Sequence, residues 1–140
     1  VGTSYEDVLN AAGLKPGVTL GKVVAGGAMM GPAVENLSYP TTKTTSGLIF
    51  LSKAAAEPAP VNPCIRCGRC VEYCPMGLEP VEVNQAYAAR DVQELGKLHV
   101  DYCFNCGSCT FVCPAKRPCT QMMGLAKAFY LGEIKKGGNK

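Results

Sequence analysis

The placement of cysteine constrains this chain more than any other feature. Nine cysteines occur in 140 residues, and all of them lie between Cys64 and Cys119. An odd number fits a disulfide framework poorly. The sequence also does not start with the basic and then apolar segment that would predict secretion. In a reducing compartment, clustered cysteines serve more often as metal ligands than as disulfide partners. We therefore expect the chain to bind metal.

Eight of the cysteines form two copies of one motif. The pattern C-x2-C-x2-C-x3-C-P runs from residue 64 to 75 and again from residue 103 to 114, a displacement of 39 residues. Gly68 recurs as Gly107, and Pro75 recurs as Pro114. This is the spacing by which bacterial ferredoxins ligate [4Fe–4S] clusters. Two copies of the motif predict two such clusters.

The ligands of the two clusters are predicted to cross between the motifs. Three cysteines spaced by two residues wrap one corner of a cluster, whereas the fourth moves away on a helical turn and ligates the other cluster. We assign the first cluster to Cys64, Cys67, Cys70 and Cys113. We assign the second cluster to Cys103, Cys106, Cys109 and Cys74.

Other uses of these residues fit the pattern less well. Structural zinc takes paired C-x2-C halves with four ligands per ion, which leaves the triple spacing and the C-P unexplained. Cys119 is left over, and we expect a buried free thiol on an apolar helix face. His99, the single histidine, is expected at a solvated helix end rather than among the ligands.

Positive charge flanks both motifs, at Arg66, Arg69, Lys116 and Arg117. These side chains either offset negative clusters and attract an acidic redox partner, or form an ordinary solvated surface. A net charge of +3 is too small to indicate nucleic-acid binding. The sequence has no dinucleotide fingerprint, no P-loop and no nucleophile with a base, so we expect no catalytic residue.

The predicted fold class is α+β in two parts. Residues 1–52 predict a helix, Tyr5–Ala12, which Ser4 caps and Gly13 ends, and strands at Leu20–Ala25 and at residues 47–51. Val1 and Gly2 are interpreted as the tail of a strand that begins in a larger protein. Residues 53–63 are rich in alanine and proline and predict a linker.

Residues 64–140 predict a helical, cysteine-rich domain. One helix is expected from Pro80 to His99, and a second from Pro118. The first helix should bury Val81, Ala88, Val92 and Leu95. The second should bury Cys119, Met122, Met123, Ala126, Phe129 and Tyr130. No apolar run approaches the roughly 20 residues that cross a bilayer.

The sequence resembles a known family at this point. Residues 63–80 and 103–118 are similar to the cluster motifs of the C subunit of the Rnf electron-transport complex. Residues 2–13 and 26–34 resemble the β-grasp module of that family, the SLBB domain. The resemblance implies a β-grasp module followed by a helical ferredoxin domain with two [4Fe–4S] clusters.

The resemblance also implies a function and a location. It indicates electron transfer within an ion-translocating ferredoxin:NAD oxidoreductase, peripheral on the cytoplasmic face of the membrane. Its partners would be the other subunits and ferredoxin or flavoprotein redox partners. FMN and NADH would bind upstream of this sequence. The alternatives are the cobalamin reductase of propanediol utilisation, which shares these modules, and a stand-alone ferredoxin-like carrier.

Overall fold

The computed structural model describes residues 1–137. It divides into two compact units, the first spanning Val1–Ala59 and the second beginning at Pro60. The division falls inside the segment predicted as a linker. The fold combines helices with one small antiparallel sheet, which agrees with the coarse prediction of a mixed α+β chain.

The first unit begins with the helix that the sequence predicts, α1, Tyr5–Ala12. The Ser4 Oγ accepts a hydrogen bond from the Asp7 backbone N–H at 3.0 Å, which satisfies a donor that the helix itself leaves free. Gly13 ends the helix with a φ of 73°, a conformation that glycine adopts at little steric cost. Tyr5 and Leu9 form the buried face of α1.

A three-stranded antiparallel sheet completes the first unit, in the order β2-β1-β3. Its strands are β1 (Leu20–Ala25), β2 (Ala33–Val34) and β3 (Leu48–Ser52). The sequence predicts two of the strands but not β2, because two residues are too few for an alternating pattern. The glycine-rich segment after β1 forms a turn, and a Cβ on Gly31 would lie 2.6 Å from the Ala25 carbonyl oxygen.

Two predictions for this unit are wrong in detail. The segment 53–63 is not linker throughout, because its start forms a helical turn, α2, Lys53–Ala56. The Ser52 Oγ caps this turn by accepting from the Ala55 N–H at 3.3 Å. Val1 and Gly2 are not strand residues. Gly2 N donates to Thr41 O at 2.8 Å, and the nearest bridge joins Ser4 to Pro40.

The second unit consists of helices joined by irregular loops. Its elements are α3 (Arg69–Glu72), α4 (Pro80–Ala88), α5 (Val92–Lys97), a 3-10 turn (Val100–Tyr102), α6 (Ser108–Phe111) and α7 (Cys119–Gly137). Helix α7 packs against α4 and α5. Within residues 1–137, no helix is long and apolar enough to span a membrane.

The single helix expected from Pro80 to His99 is in fact two helices. Arg90 adopts a φ of 57°, which breaks the helix, and Asp91 restarts it by accepting from the Glu94 N–H at 2.9 Å. The guanidinium of Arg90 lies 4.8 Å from the ring centre of Tyr87 and 4.9 Å from that of Phe129. These cation–π contacts hold the Arg90 side chain over both rings.

The break changes which side chains are buried. Because the helical phase restarts at Asp91, the predicted apolar face of Val81, Ala88, Val92 and Leu95 is confirmed only in part. Leu95 belongs to the core and Val81 and Val92 are half-buried, whereas Ala88 is exposed. The buried core residues are Leu78, Val83, Ala86, Leu95, Val100, Met123 and Ala126. The face predicted for α7 is confirmed, with all six of its residues buried or half-buried.

Candidate iron–sulfur centre

The two cysteine motifs have the same backbone conformation. Gly68 has a φ of 77° and Gly107 a φ of 91°, and each immediately precedes a short helix, α3 or α6. A residue with a Cβ rarely adopts this conformation, which explains glycine at both positions. Arg66 and Asn105, also 39 residues apart, have φ values of 50° and 56°. The internal repeat of the sequence is therefore a structural repeat.

A cavity of about 290 Å³ lies beside the first motif and is called site 1. Five cysteines line it. They are Cys64, Cys67, Cys70, Cys113 and Cys119. Three come from the first motif and Cys113 is the fourth cysteine of the second. Asn62 N donates to Ala115 O at 2.9 Å, so the chain entering the first motif contacts the end of the second.

A second, smaller cavity of about 20 Å³ lies beside the second motif and is called site 2. Its four cysteines are Cys74, Cys103, Cys106 and Cys109. Three come from the second motif, and Cys74 is the fourth cysteine of the first. Both cavities thus combine three cysteines of one motif with the last cysteine of the other. A [4Fe–4S] cluster is larger than this cavity, so the thiols of site 2 would have to move apart to bind one.

The chemistry of the donors fits an iron–sulfur cluster at either site. Within residues 1–137, no three Cys, His, Asp or Glu side chains converge closely enough to hold a single metal ion. A [4Fe–4S] cluster does not require such convergence, because each of four thiolates binds a different iron. Four cysteines that surround a space therefore suit a cluster.

The two sites adjoin through the short helices α3 and α6, which pack against each other. Cys70 lies on α3 and Cys109 on α6. Burial raises the pKa of both thiols, and the charge on Cys109 adds to the rise at Cys70. Iron binding must remove these protons, so loading of the sites releases protons.

Cys119 is buried and unpaired, as the sequence predicts, with 4% of its surface exposed. Burial raises its pKa to about 12, and the charge of nearby Cys113 adds to the shift. Its thiol therefore stays protonated at neutral pH. His99 is exposed beyond the end of α5 and stacks on Tyr102, with ring centres 5.2 Å apart.

Lys127 is a functional candidate that sequence reasoning missed. Its Nζ, on α7, donates to the backbone carbonyl of Cys103 at 2.6 Å and so ties the second cysteine loop to the helix. Residue 88, which the repeat relates to Lys127, is alanine. No local pattern reveals this contact, because its partners are 24 residues apart.

Replacing Lys127 should loosen the second cysteine loop. A hydrogen bond from a charged donor contributes about 1.5–3 kcal/mol. We therefore expect Lys127→Met to lose iron from site 2 to a chelator roughly tenfold faster than the parent chain. Lys136→Met is the matched control, because its side chain is 76% exposed and bridges only Glu133. Equal rates of iron loss in the two variants would contradict this role.

Comparison with known proteins places the site in a class. Residues 63–116 match the family described as the 4Fe-4S dicluster domain. The matched segment contains both cysteine motifs and the helices between them. The second unit thus contains a segment that is similar to iron–sulfur domains of the dicluster type.

Curated relatives of the second unit narrow the similarity further. The chain is 42% identical to the C subunit of the ion-translocating oxidoreductase complex of Rhodobacter capsulatus over 77 residues, which are 55% of this chain and 15% of the relative. It is 40% identical over 81 residues to the C subunit of the proton-translocating ferredoxin:NAD(+) oxidoreductase complex of Clostridium ljungdahlii, covering 57% and 17%. The C subunit of the Na(+)-translocating ferredoxin:NAD(+) oxidoreductase complex of Acetobacterium woodii is 35% identical over 95 residues, covering 66% and 20%.

These matches confirm the resemblance to the C subunits of Rnf complexes. The chain is homologous to these proteins, and it spans only 15% to 20% of their length.

Proposed function

We propose that this chain carries electrons through two [4Fe–4S] clusters, as part of the C subunit of an ion-translocating ferredoxin:NAD oxidoreductase complex. A cluster of this kind supplies one-electron chemistry at each site when bound. One observation carries the proposal: each cavity is lined by three cysteines of one motif and the fourth of the other. We assign Cys64, Cys67, Cys70 and Cys113 to site 1, and Cys103, Cys106, Cys109 and Cys74 to site 2.

The arrangement of the ligands supports a relay. Cys70 and Cys109 lie on adjoining helices, so the two sites share a wall rather than being separated by a layer of core. Electron tunnelling falls steeply with distance, which makes adjacent sites suitable for passing single electrons. The crossed ligands also fix this proximity, because each motif contributes to both sites.

Hydrogen bonds to the cysteine sulfurs would tune the reduction potentials of the two sites. The Leu78 N–H donates to Cys74 Sγ at 3.3 Å, and the Arg66 N–H donates to Cys64 Sγ at 3.5 Å. Thr120 Oγ1 lies 3.3 Å from Cys109 Sγ. Donors to ligand sulfur raise the reduction potential of an iron–sulfur site and hold the ligand in place.

The remaining parts of the proposal concern context. We assign residues 1–52 to a β-grasp module of the SLBB type and residues 64–140 to the ferredoxin domain. Residues 53–63, which begin with α2, connect the two. The proposed partners are the other subunits of the complex and a ferredoxin or flavoprotein. The proposed location is peripheral, on the cytoplasmic face of the membrane. No residue of this chain is assigned to FMN or NADH.

The proposal predicts reversible uptake of electrons. The reconstituted chain, titrated anaerobically with dithionite, should take up about two electrons, one per cluster, and should bleach near 400 nm. Adding oxidised ferredoxin should restore the colour and reduce the ferredoxin. The metal-free chain is the control and should take up none. Bleaching that neither reverses nor passes electrons to an acceptor would contradict the carrier function.

A further inference from the structure

Residues that the repeat relates to each other line the two sites in exchanged positions. Arg117 lines site 1 and Leu78 lines site 2, and these positions are 39 residues apart. The same displacement relates Asn84 at site 1 to Met123 at site 2. The crossing that exchanges the fourth cysteines therefore also exchanges the residues that follow them. This makes position-by-position comparison of the two sites possible.

The comparison reveals an asymmetry of charge. Site 1 is lined by three arginines, and the repeat places a neutral residue at every corresponding position. The pairs are Arg66 with Asn105, Arg69 with Ser108, and Arg117 with Leu78. No lysine or arginine is among the described residues that line site 2. Arg117 follows the second motif in sequence but lines the site of the first, which the sequence alone does not reveal.

In the part of the chain that the structure describes, no carboxylate pairs directly with the arginines of site 1. Within residues 1–137, none of the three arginines forms a salt bridge; the ion pairs there join Lys97 to Glu94 and Lys136 to Glu133. The Arg66 Nη2 can donate to the neutral Gln85 side-chain oxygen at 3.0 Å. Glu82 contacts the other end of that amide and not the guanidinium.

Polar groups act at both sites: of the hydrogen bonds to ligand sulfur, those of Leu78 and Thr120 belong to site 2 and that of Arg66 belongs to site 1, so the charges carry the asymmetry. The Oδ1 of Asn84 is buried without a hydrogen-bond partner, and Asn84 lines site 1. A half-turn of this amide presents an N–H group, for which a cluster sulfur is an acceptor. Site 2 retains the Thr120 hydroxyl and Asn105, but these are neutral. Lys127 lies near site 2, where it donates to a backbone carbonyl rather than lining the cavity.

We propose that the two sites differ in reduction potential, that site 1 has the higher potential, and that the charge of Arg117 is the main cause of the difference. The proposal rests on the proposed function, since it requires a cluster at each site. Reduction adds one negative charge, and nearby cations favour the more negative form. An electron entering at either site would therefore reside at site 1. Arg117 is half-buried and Arg66 and Arg69 are exposed, so solvent screens Arg117 least.

A redox titration followed by electron paramagnetic resonance tests this proposal. Iron and sulfide are counted first; fewer than two clusters would refute the proposed function, whatever the potentials. With both clusters present, the parent chain should show two separate one-electron steps. Arg117→Gln should lower the higher reduction potential by about 59 mV, which is a tenfold change in the equilibrium constant of a one-electron step. The lower potential should not change. Arg66→Gln and Arg69→Gln should each lower the same potential by less, by about a twofold change in the equilibrium constant.

Lys116→Gln is the matched control. It removes the same charge from the neighbouring residue, which lines neither cavity, and it should move neither potential by as much as twofold. Two clusters with one shared potential would overturn the inference while leaving the proposed function intact. So would a shift of the lower potential in Arg117→Gln, or equal shifts in Arg117→Gln and Lys116→Gln.

Discussion

Replacing Cys74 with serine should damage the cluster held by the other motif. In the crossed arrangement Cys74 belongs to site 2 with Cys103, Cys106 and Cys109, although it lies in the first motif. A serine oxygen is a poorer ligand for iron than thiolate, so the affected cluster should lose intensity, shift its spectrum or convert to a three-iron form. We expect site 2 to show this change and site 1 to keep the spectrum of the parent chain.

The converse substitution and a control make the result decisive. Cys113→Ser should disturb site 1 and spare site 2. Cys119→Ser should disturb neither cluster's ligation, because Cys119 is the ninth cysteine and lies beside site 1 as a protonated thiol. The clusters are distinguished by their separate resonance signals in the parent chain and in Cys64→Ser. If Cys74→Ser damages only the cluster of Cys64, Cys67 and Cys70, the ligation is local and the relay fails.

Removing the clusters should abolish the fixed structure of the second unit. Its buried core is small, and the helices that carry ligands, α3 and α6, have four residues each. Helices this short do not persist without tertiary contacts. Ligand binding at a metal site becomes folding free energy, which for structural zinc is about 10–16 kcal/mol. We therefore expect loss of the clusters to cost more than the unit's own stability.

Nuclear magnetic resonance of the full chain before and after chelation measures this effect. Signals of the second-unit core, such as Val83, Leu95 and Met123, should collapse to unfolded positions when iron is removed. Those of Val23 and Val24, buried in the first unit, serve as the internal reference. A dispersed metal-free spectrum of residues 60–137 with a cooperative unfolding transition would contradict the prediction.

Local rules predicted α1 and β1 of the first unit well. Ser4 and Gly13 identified both ends of α1, and the run Leu20–Ala25 identified a strand, because caps and strand patterns act within a few residues. The same kind of rule failed between Pro80 and His99. There the helical period predicts one continuous helix, and only the capping pair Asp91 and Glu94 marks the restart.

The site was predictable in part because its ligands can be recognised from the spacing of the cysteines in the sequence. Thiolate ligation requires cysteines at fixed separations, and the repeat of 39 residues implied two sites before any fold was known. The charges were not predictable in this way. Arg117 follows the second motif yet lines the first cavity, and Lys127 bonds to Cys103 from another helix. Such contacts depend on how the two motifs pack, which no local pattern records.

Metal and sulfide analysis of the anaerobically purified, reconstituted chain tests the central claim most directly. Two clusters held by eight thiolates predict about eight irons and eight acid-labile sulfides per chain, with a brown colour that dithionite bleaches. Zinc should be present only in traces. A colourless protein with one or two zinc ions per chain and no labile sulfide would contradict the proposal that the chain holds iron–sulfur clusters.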